Sequence, residues 1–334
     1  MTHQAQTTNP VLRIGGKVYY GQDQAKNLLT RSIASDRLAH AYLFRGPEGV
    51  GKQLLAKTLT AAVNCDQRQG LSGCGVCSSC KKFAAGSHPD FLPVSPDKGA
   101  IKISQVRKLI KDLSFAPYEA KTRVVLIEDV HTMRQEAANS LLKTLEEPPA
   151  NNLLILTADL AGTVLQTIIS RCQTIPFYAL SIKETTDILI DQNTDLDRET
   201  AELLARLAEG SPGRAQLLQS GELVGLWTDL IELLADKSSD EARDVTKILI
   251  MAEAMAALKE ELPHLFALIR LWIRDSLFEI HGQQTGAGIP KRRKDWNSEQ
   301  YFAKLQAINQ AEKELGRNCN RTLVCEVLLF RLKK

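Results

Sequence analysis

Residues 46–53 read "GPEGVGKQ", directly after the apolar run "AYLF" at 41–44 and before "KQLLAKTLTAAV". A short β-rich run, a glycine-dense turn and an amphipathic helix form the context in which G-x-x-x-x-G-K acquires physical meaning. Gly46, Gly49 and Gly51 let the backbone curl so that its N–H groups converge on phosphate oxygens. Lys52 adds a point charge and the helix N-terminus adds its dipole. The eighth position departs from the pattern. A Ser or Thr hydroxyl there ligates magnesium in a working phosphoryl-transfer site, whereas this chain carries Gln53, an amide on a longer stem.

Outward from this loop, residues 40–178 alternate β-rich runs with amphipathic helices, the signature of a parallel sheet covered on both faces. The expected strands are "AYLF" (41–44), "DFLPV" (90–94), "VVLIE" (124–128), "LLILT" (153–157) and "TIPF" (174–177). Helical spacing puts Leu54, Leu55, Thr58, Leu59 and Ala62 on one face, and Val106, Leu109, Ile110 and Leu113 on another. A third helix buries Ala137, Ala138, Leu141, Leu142 and Leu145 and stops at Pro148 and Pro149. Past residue 180 only helical periodicity remains. The expected division is an α/β nucleotide-binding core over 1–179 with a cysteine-rich insertion at 65–80, a small helical lid over 180–220, and an all-α domain over 221–334.

A second acidic element belongs with the loop. The strand "VVLIED" ends in Glu128 and then Asp129. In an active site the order is Asp then Glu, with the short carboxylate by the metal and the long one by the attacking water. Exchanging them shifts both groups by about one C–C bond, and a ~1 Å displacement can cost on the order of a hundredfold in rate. Gln53 and the exchanged pair together argue against turnover at this site.

Cys65, Cys74, Cys77 and Cys80 stand at C-x8-C-x2-C-x2-C in "NCDQRQGLSGCGVCSSC". Four thiolates at this spacing make a closed tetrahedral Zn²⁺ site with no open position for chemistry. Cys172, Cys319 and Cys325 lack such spacing and read as small buried hydrophobes. Zinc insertions also serve nucleic-acid-binding ribbons, and spacing alone leaves that alternative open. A net charge of +3 and 5% aromatic residues give it little support. The local run Lys291, Arg292, Arg293, Lys294 reads as a solvated loop.

The 334 residues, 44% hydrophobic and 24% charged, are ordinary globular material for two or three domains. No stretch approaches the ~18 consecutive apolar residues of a membrane span, and the start has no apolar signal core. A cytoplasmic chain is expected.

Taken in order, "HAYLFRGPEGVGK", the cysteine set, "GSHPDF", "LSFAPYEAKTRVVLIED", "EAANSLLKTLEEPP" and "IISRCQ" resemble the bacterial DNA polymerase III clamp loader, an AAA+ family. The likeness runs from about Gly21 to Arg214; the C-terminal third matches in length and helical character only. "SHPDF" and "LSFAPYEAK" are more similar to the delta-prime subunits than to the gamma/tau motor. The resemblance implies a P-loop AAA+ core, lid and helical collar in a five-subunit ring with gamma/tau and delta, acting in DNA replication by loading the sliding clamp onto primed DNA. It places Arg171 at the arginine finger that reaches ATP held by a neighbouring subunit. Arg214 falls at the lid arginine that senses a subunit's own nucleotide, and Gly21 and Gln22 fall near the adenine. The implied subunit has no ATPase of its own, carries structural zinc and lacks the usual magnesium ligand; ATP or ADP binding through Lys52 stays open. The alternative is an ATP-hydrolysing gamma/tau motor.

Overall fold

The computed structural model describes residues 13–14, 17–160, 162–219, 222–235, 241–280, 296–317 and 319–333, so the basic run at 291–294 lies outside the described residues. Two compact units emerge: the described residues of Met1–Asp197 with Glu209–Arg214, and those of Arg198–Ala208 with Ala215–Lys334.

The first unit opens with a hairpin of β1 (Arg13–Ile14) and β2 (Lys17–Val18), followed by α1 (Asp23–Ala34). Then come β3 (Ala41–Arg45), α2 (Lys52–Val63), α3 (Ser78–Ala84), β4 (Phe91–Val94), α4 (Ile103–Leu113) and β5 (Arg123–Ile127). It continues with α5 (Gln135–Glu146), β6 (Asn152–Ala158), α6 (Gln166–Ile169), β7 (Gln173–Pro176) and α7 (Ile182–Gln192). β3 to β7 form one all-parallel sheet in the order β4-β5-β6-β3-β7. This is the α/β core with a parallel sheet, and with the glycine-rich loop between a strand and a helix, that the sequence led us to expect. Alternate strand residues sort cleanly to two cores. Tyr42, Phe44, Val124, Leu126 and Ile155 pack with Leu29 of α1 and Leu55 and Leu59 of α2. Leu43, Val125, Ile127, Leu154 and Leu156 pack with Val106, Leu109, Leu141 and Ile168 from α4, α5 and α6. With both faces covered, the strands read as continuous apolar runs.

Two expectations change. Leu54 is 45% exposed, because α2 turns Leu55, Ala56, Leu59 and Ala62 to the core and leaves Leu54 on the border of that stripe. Cys319 is exposed in the connector before the last helix, where no helical face holds it, whereas Cys325 is buried and Cys172 half-buried.

One buried polar cluster fixes the loop between α4 and β5. The fully buried Asp90 carboxylate accepts N–H bonds from Tyr118, Glu119 and Ala120 at 2.7, 2.8 and 2.9 Å. Arg123 donates to the carbonyls of Asp112, Phe115 and Ala116 and lies 3.4 Å from Asp90 Oδ1. Burial alone would raise the Asp90 pKa, but the three backbone donors and Arg123 outweigh it and hold the group below its ordinary value of 3.8. A carboxylate with a depressed folded pKa contributes stability above its unfolded pKa and loses it as pH falls through the folded one. Asp90→Asn, which leaves buried donors unpaired, should cost about 3 kcal/mol at neutral pH. It should also abolish the wild type's loss of stability below pH 3.8 that this group contributes. Denaturant midpoints measured across pH test this, and equal midpoints for both proteins at neutral pH would refute it.

The second unit is all helical. It holds α8 (Arg198–Leu207), the later part of α9 (Pro212–Gln219), α10 (Glu222–Ala235), α11 (Glu241–Ala257), α12 (Leu262–Ile280), α13 (Ser298–Gly316) and α14 (Arg321–Lys333). Trp227, Phe266, Trp272, Leu328 and Leu329 lie in its interior. Trp296 meets Trp272 and Tyr301 edge-on, with ring centroids 5.7 and 5.3 Å away. Asn297 and Gln300 form a reciprocal capping box at the start of α13. Among the described residues no helix is long and apolar enough to cross a membrane.

Candidate nucleotide and metal sites

The glycine-rich loop leaves the C-terminal end of β3, which lies between β6 and β7, on the edge of the sheet where parallel strands present ligands. Gly49 and Gly51 have φ of +72° and +95°, a region unfavourable to side chains. A Cβ on Gly49 would also lie 2.4 Å from Ser211 Oγ. The 209–214 segment therefore seats against the loop: Ser211 donates to the Glu48 carbonyl at 2.7 Å and Gly213 N donates to the Gly49 carbonyl at 3.0 Å. Tyr19 closes the other side, donating its hydroxyl to the Gly51 carbonyl at 3.1 Å.

Lys52 is buried and donates to the carbonyls of Gly46 and Pro47, both at 2.6 Å. Burial lowers its pKa from 10.5, and the charges of Asp159, Asp129 and Glu48 oppose that shift. Gln53 is exposed at the second position of α2, and its side chain makes no hydrogen bond among the described residues. It offers nothing here in place of the short magnesium ligand.

The acidic strand end divides its two carboxylates. Glu128 accepts from Ser95 Oγ at 2.7 Å, at the end of neighbouring β4. Asp129 leaves the strand with φ of +49°, and its N–H donates to the buried Thr157 hydroxyl of β6 at 3.0 Å. Asp159 and Asp129 are, with Glu48, the carboxylates whose fields favour the Lys52 charge. Thr157 and Asp159 were missed in the sequence. Their signal was available in "LLILTAD", where polar groups close an apolar strand beside the loop's own strand.

The outlying residues fall in separate places. Gln22, in the left-handed region, pairs with the backbone of Tyr178: Nε2 donates to its carbonyl at 2.7 Å and Oε1 accepts its N–H at 3.1 Å. Gly21 beside it has φ of +60°. Arg214 reaches Glu209 at 3.7 Å. Its N–H donates to Ser211 Oγ at 3.2 Å, which puts the start of α9 next to the phosphate loop. Arg171 follows the four-residue helix α6, with its side chain 31% exposed and paired with Glu146.

The sulfur atoms of Cys65, Cys74, Cys77 and Cys80 lie within 4.8 Å of one another. Tetrahedral Zn–S bonds of ~2.3 Å require sulfurs ~3.8 Å apart, so the donor set fits a metal ion. Backbone N–H groups already point at the sulfurs: Cys74 N lies 3.1 Å from Cys65 Sγ, and Cys77 N lies 3.3 Å from Cys74 Sγ. The Cys77 and Val76 N–H groups push the Cys74 thiol down to about 6, whereas burial pushes Cys80 up to about 12. The cluster bridges the end of α2 and the start of α3, a structural position away from the loop.

Residues 21–181 match the family described as "DNA polymerase III, delta subunit". DNA polymerase III subunit delta-prime of Bacillus subtilis is 37% identical over 212 residues, 64% of each chain, so this chain spans just under two thirds of that relative. Subunit tau of Escherichia coli is 32% identical over 195 residues, 57% of this chain and 30% of the relative. Subunit delta-prime of Pseudomonas aeruginosa is 31% identical over 312 residues, 87% of this chain and 90% of the relative. With likeness of that extent, the chain belongs to the delta-prime family of bacterial DNA polymerase III clamp-loader subunits.

Proposed function

We propose that this chain is a stationary clamp-loader subunit that hydrolyses no ATP and supplies Arg171 in trans to a neighbouring ATPase subunit. The observation that carries this is at Gln53: the helix position that should hold magnesium presents an exposed amide without a hydrogen bond. Lys52 bonded back onto its own loop and Glu128 turned to Ser95 support it. The loop then serves as architecture. It anchors the 209–214 segment, and with it Arg214, while residual affinity for ATP or ADP resides in Lys52 and the loop N–H groups.

In this reading residues 180–220 act as lid and 221–334 as the collar that joins the chain to gamma/tau and delta in a five-subunit ring. The partners are these subunits, the sliding clamp and, through the complex, primed DNA, all in the cytoplasm. The metal is one structural zinc on Cys65, Cys74, Cys77 and Cys80, which supplies no chemistry to the nucleotide site. The retained Lys52 favours a second reading, the ATP-hydrolysing gamma/tau motor.

ATPase assays of the isolated chain separate the two. No magnesium-dependent turnover is expected, and Gln53→Thr alone should not create it, since Glu128 and Asp129 keep their exchanged order. Wild-type turnover that Lys52→Ala abolishes would move the assignment to the motor.

A further inference from the structure

Arg171 is not a free cation on the surface of the first unit. Its Nε donates to Glu146 Oε1 at 2.8 Å and its Nη2 donates to the same oxygen. Its Nη1 donates to the Thr167 carbonyl at 2.9 Å and to Ser170 Oγ at 3.2 Å. One bond from Nε, two from Nη1 and one from Nη2 engage four of the five guanidinium N–H groups. The planar fork leaves the last hydrogen on its Nη1–Nη2 edge, the end farthest from the Arg171 backbone.

Folding does not account for Glu146. It is the last residue of α5, where the negative end of the helix dipole disfavours a carboxylate. Its side chain is 49% exposed, and ion pairs this exposed contribute little to stability. What the contact does is orient a long side chain that follows a helix of only four residues. Left alone, that arginine would sample many rotamers.

We infer that Glu146 is the positioning residue for Arg171, holding the Nε–Nη2 edge from within its own chain so that the Nη edge meets the neighbour's phosphate preorganised. The inference rests on the trans-arginine reading above. Glu146 touches neither nucleotide nor the reacting atoms. Its effect belongs in kcat, since an oriented donor acts where charge develops, and a misplacement of ~1 Å can cost up to ~100-fold.

The test uses the clamp-loader complex rebuilt from this chain and its partner subunits, with incorporation confirmed by size-exclusion chromatography. Glu146→Ala should lower kcat for ATP ~3- to 10-fold with KM unchanged, within the range that loss of positioning allows. Glu146→Gln, whose amide oxygen still accepts from Nε and Nη2, should recover most of the rate. Glu146→Ala combined with Arg171→Ala should be no slower than Arg171→Ala alone, because the carboxylate acts only through the arginine. An unchanged or raised kcat in Glu146→Ala, with Arg171→Ala still slow, would overturn the positioning role and leave the trans arginine standing. An unaffected Arg171→Ala complex would instead remove the trans arginine itself.

Discussion

Arg171→Ala should leave the chain folded, metal-loaded and able to join its complex, while ATP hydrolysis and clamp loading by that complex fall. The structural half of this follows from position. Arg171 sits past a four-residue helix, its side chain bonds Glu146, Thr167 and Ser170 among the described residues, and it belongs to neither hydrophobic core of the sheet. The functional half follows from phosphoryl transfer, whose transition state spreads negative charge over the γ-phosphate oxygens. A trans arginine there contributes on the order of 10³ to 10⁵ in rate at a single site. Steady-state rates of the whole ring fall less, since other sites keep their own arginines. Arg171→Lys should rescue poorly. A compact ammonium cannot accept the two-edged hold that Glu146, Thr167 and Ser170 give the planar guanidinium. ATPase and loading assays on rebuilt complexes decide the matter: unchanged rates with full incorporation would reduce Arg171 to a surface residue.

The sheet was legible because parallel strands buried on both faces leave continuous apolar runs. The five expected strands lie within a residue of the observed β3 to β7 at each end. The phosphate loop was legible for a related reason: its chemistry is local, eight consecutive residues between a strand and a helix. What periodicity does not carry is contact between distant residues. Asp90 meets Tyr118 and Arg123, Glu146 meets Arg171, and Asp129 meets Thr157, each across 25 to 33 positions. None of these pairings repeats or follows a spacing. The exposed Leu54 shows the same limit on a smaller scale, since helical phase names a stripe but tertiary packing sets where that stripe ends.

These long-range contacts also account for a loop that is retained without its metal ligand. Removing the Ser or Thr hydroxyl costs the fold nothing, because the eighth position is exposed. Removing the glycines would cost a great deal. Gly49 lies against Ser211 and Gly213, and Gly51 against Tyr19, so the loop is the surface on which the 209–214 segment and Tyr19 settle. Selection on architecture alone would therefore spare the glycines and release Gln53.

The cysteine cluster leads to the other large effect. Freshly prepared chain should carry one zinc, and stripping it with a chelator, or replacing Cys77 by serine, should loosen residues 65–84 while the parallel sheet persists. Four thiolates on one metal ion would be the strongest tie across this segment. Of them Cys65 and Cys80 are buried, and Cys77 also caps α3 by accepting the Cys80 N–H. Without metal the sulfurs face one another within 4.8 Å, with backbone N–H bonds to Cys65, Cys74 and Cys77 left to hold them. Apparent binding free energies of structural zinc in small peptides reach about 10–16 kcal/mol. Here most of the surrounding fold exists without the metal, so about 3 kcal/mol is the expected loss for the unit. That is a fall of about 6–12 °C in Tm for a domain of this size. Hydrogen exchange should show the loss of protection in α3 and the end of α2, not in β3 or β6. Metal analysis finding well under one zinc per chain would remove the site, and a chelator that melts the whole sheet would give the metal a larger role than these contacts assign to it.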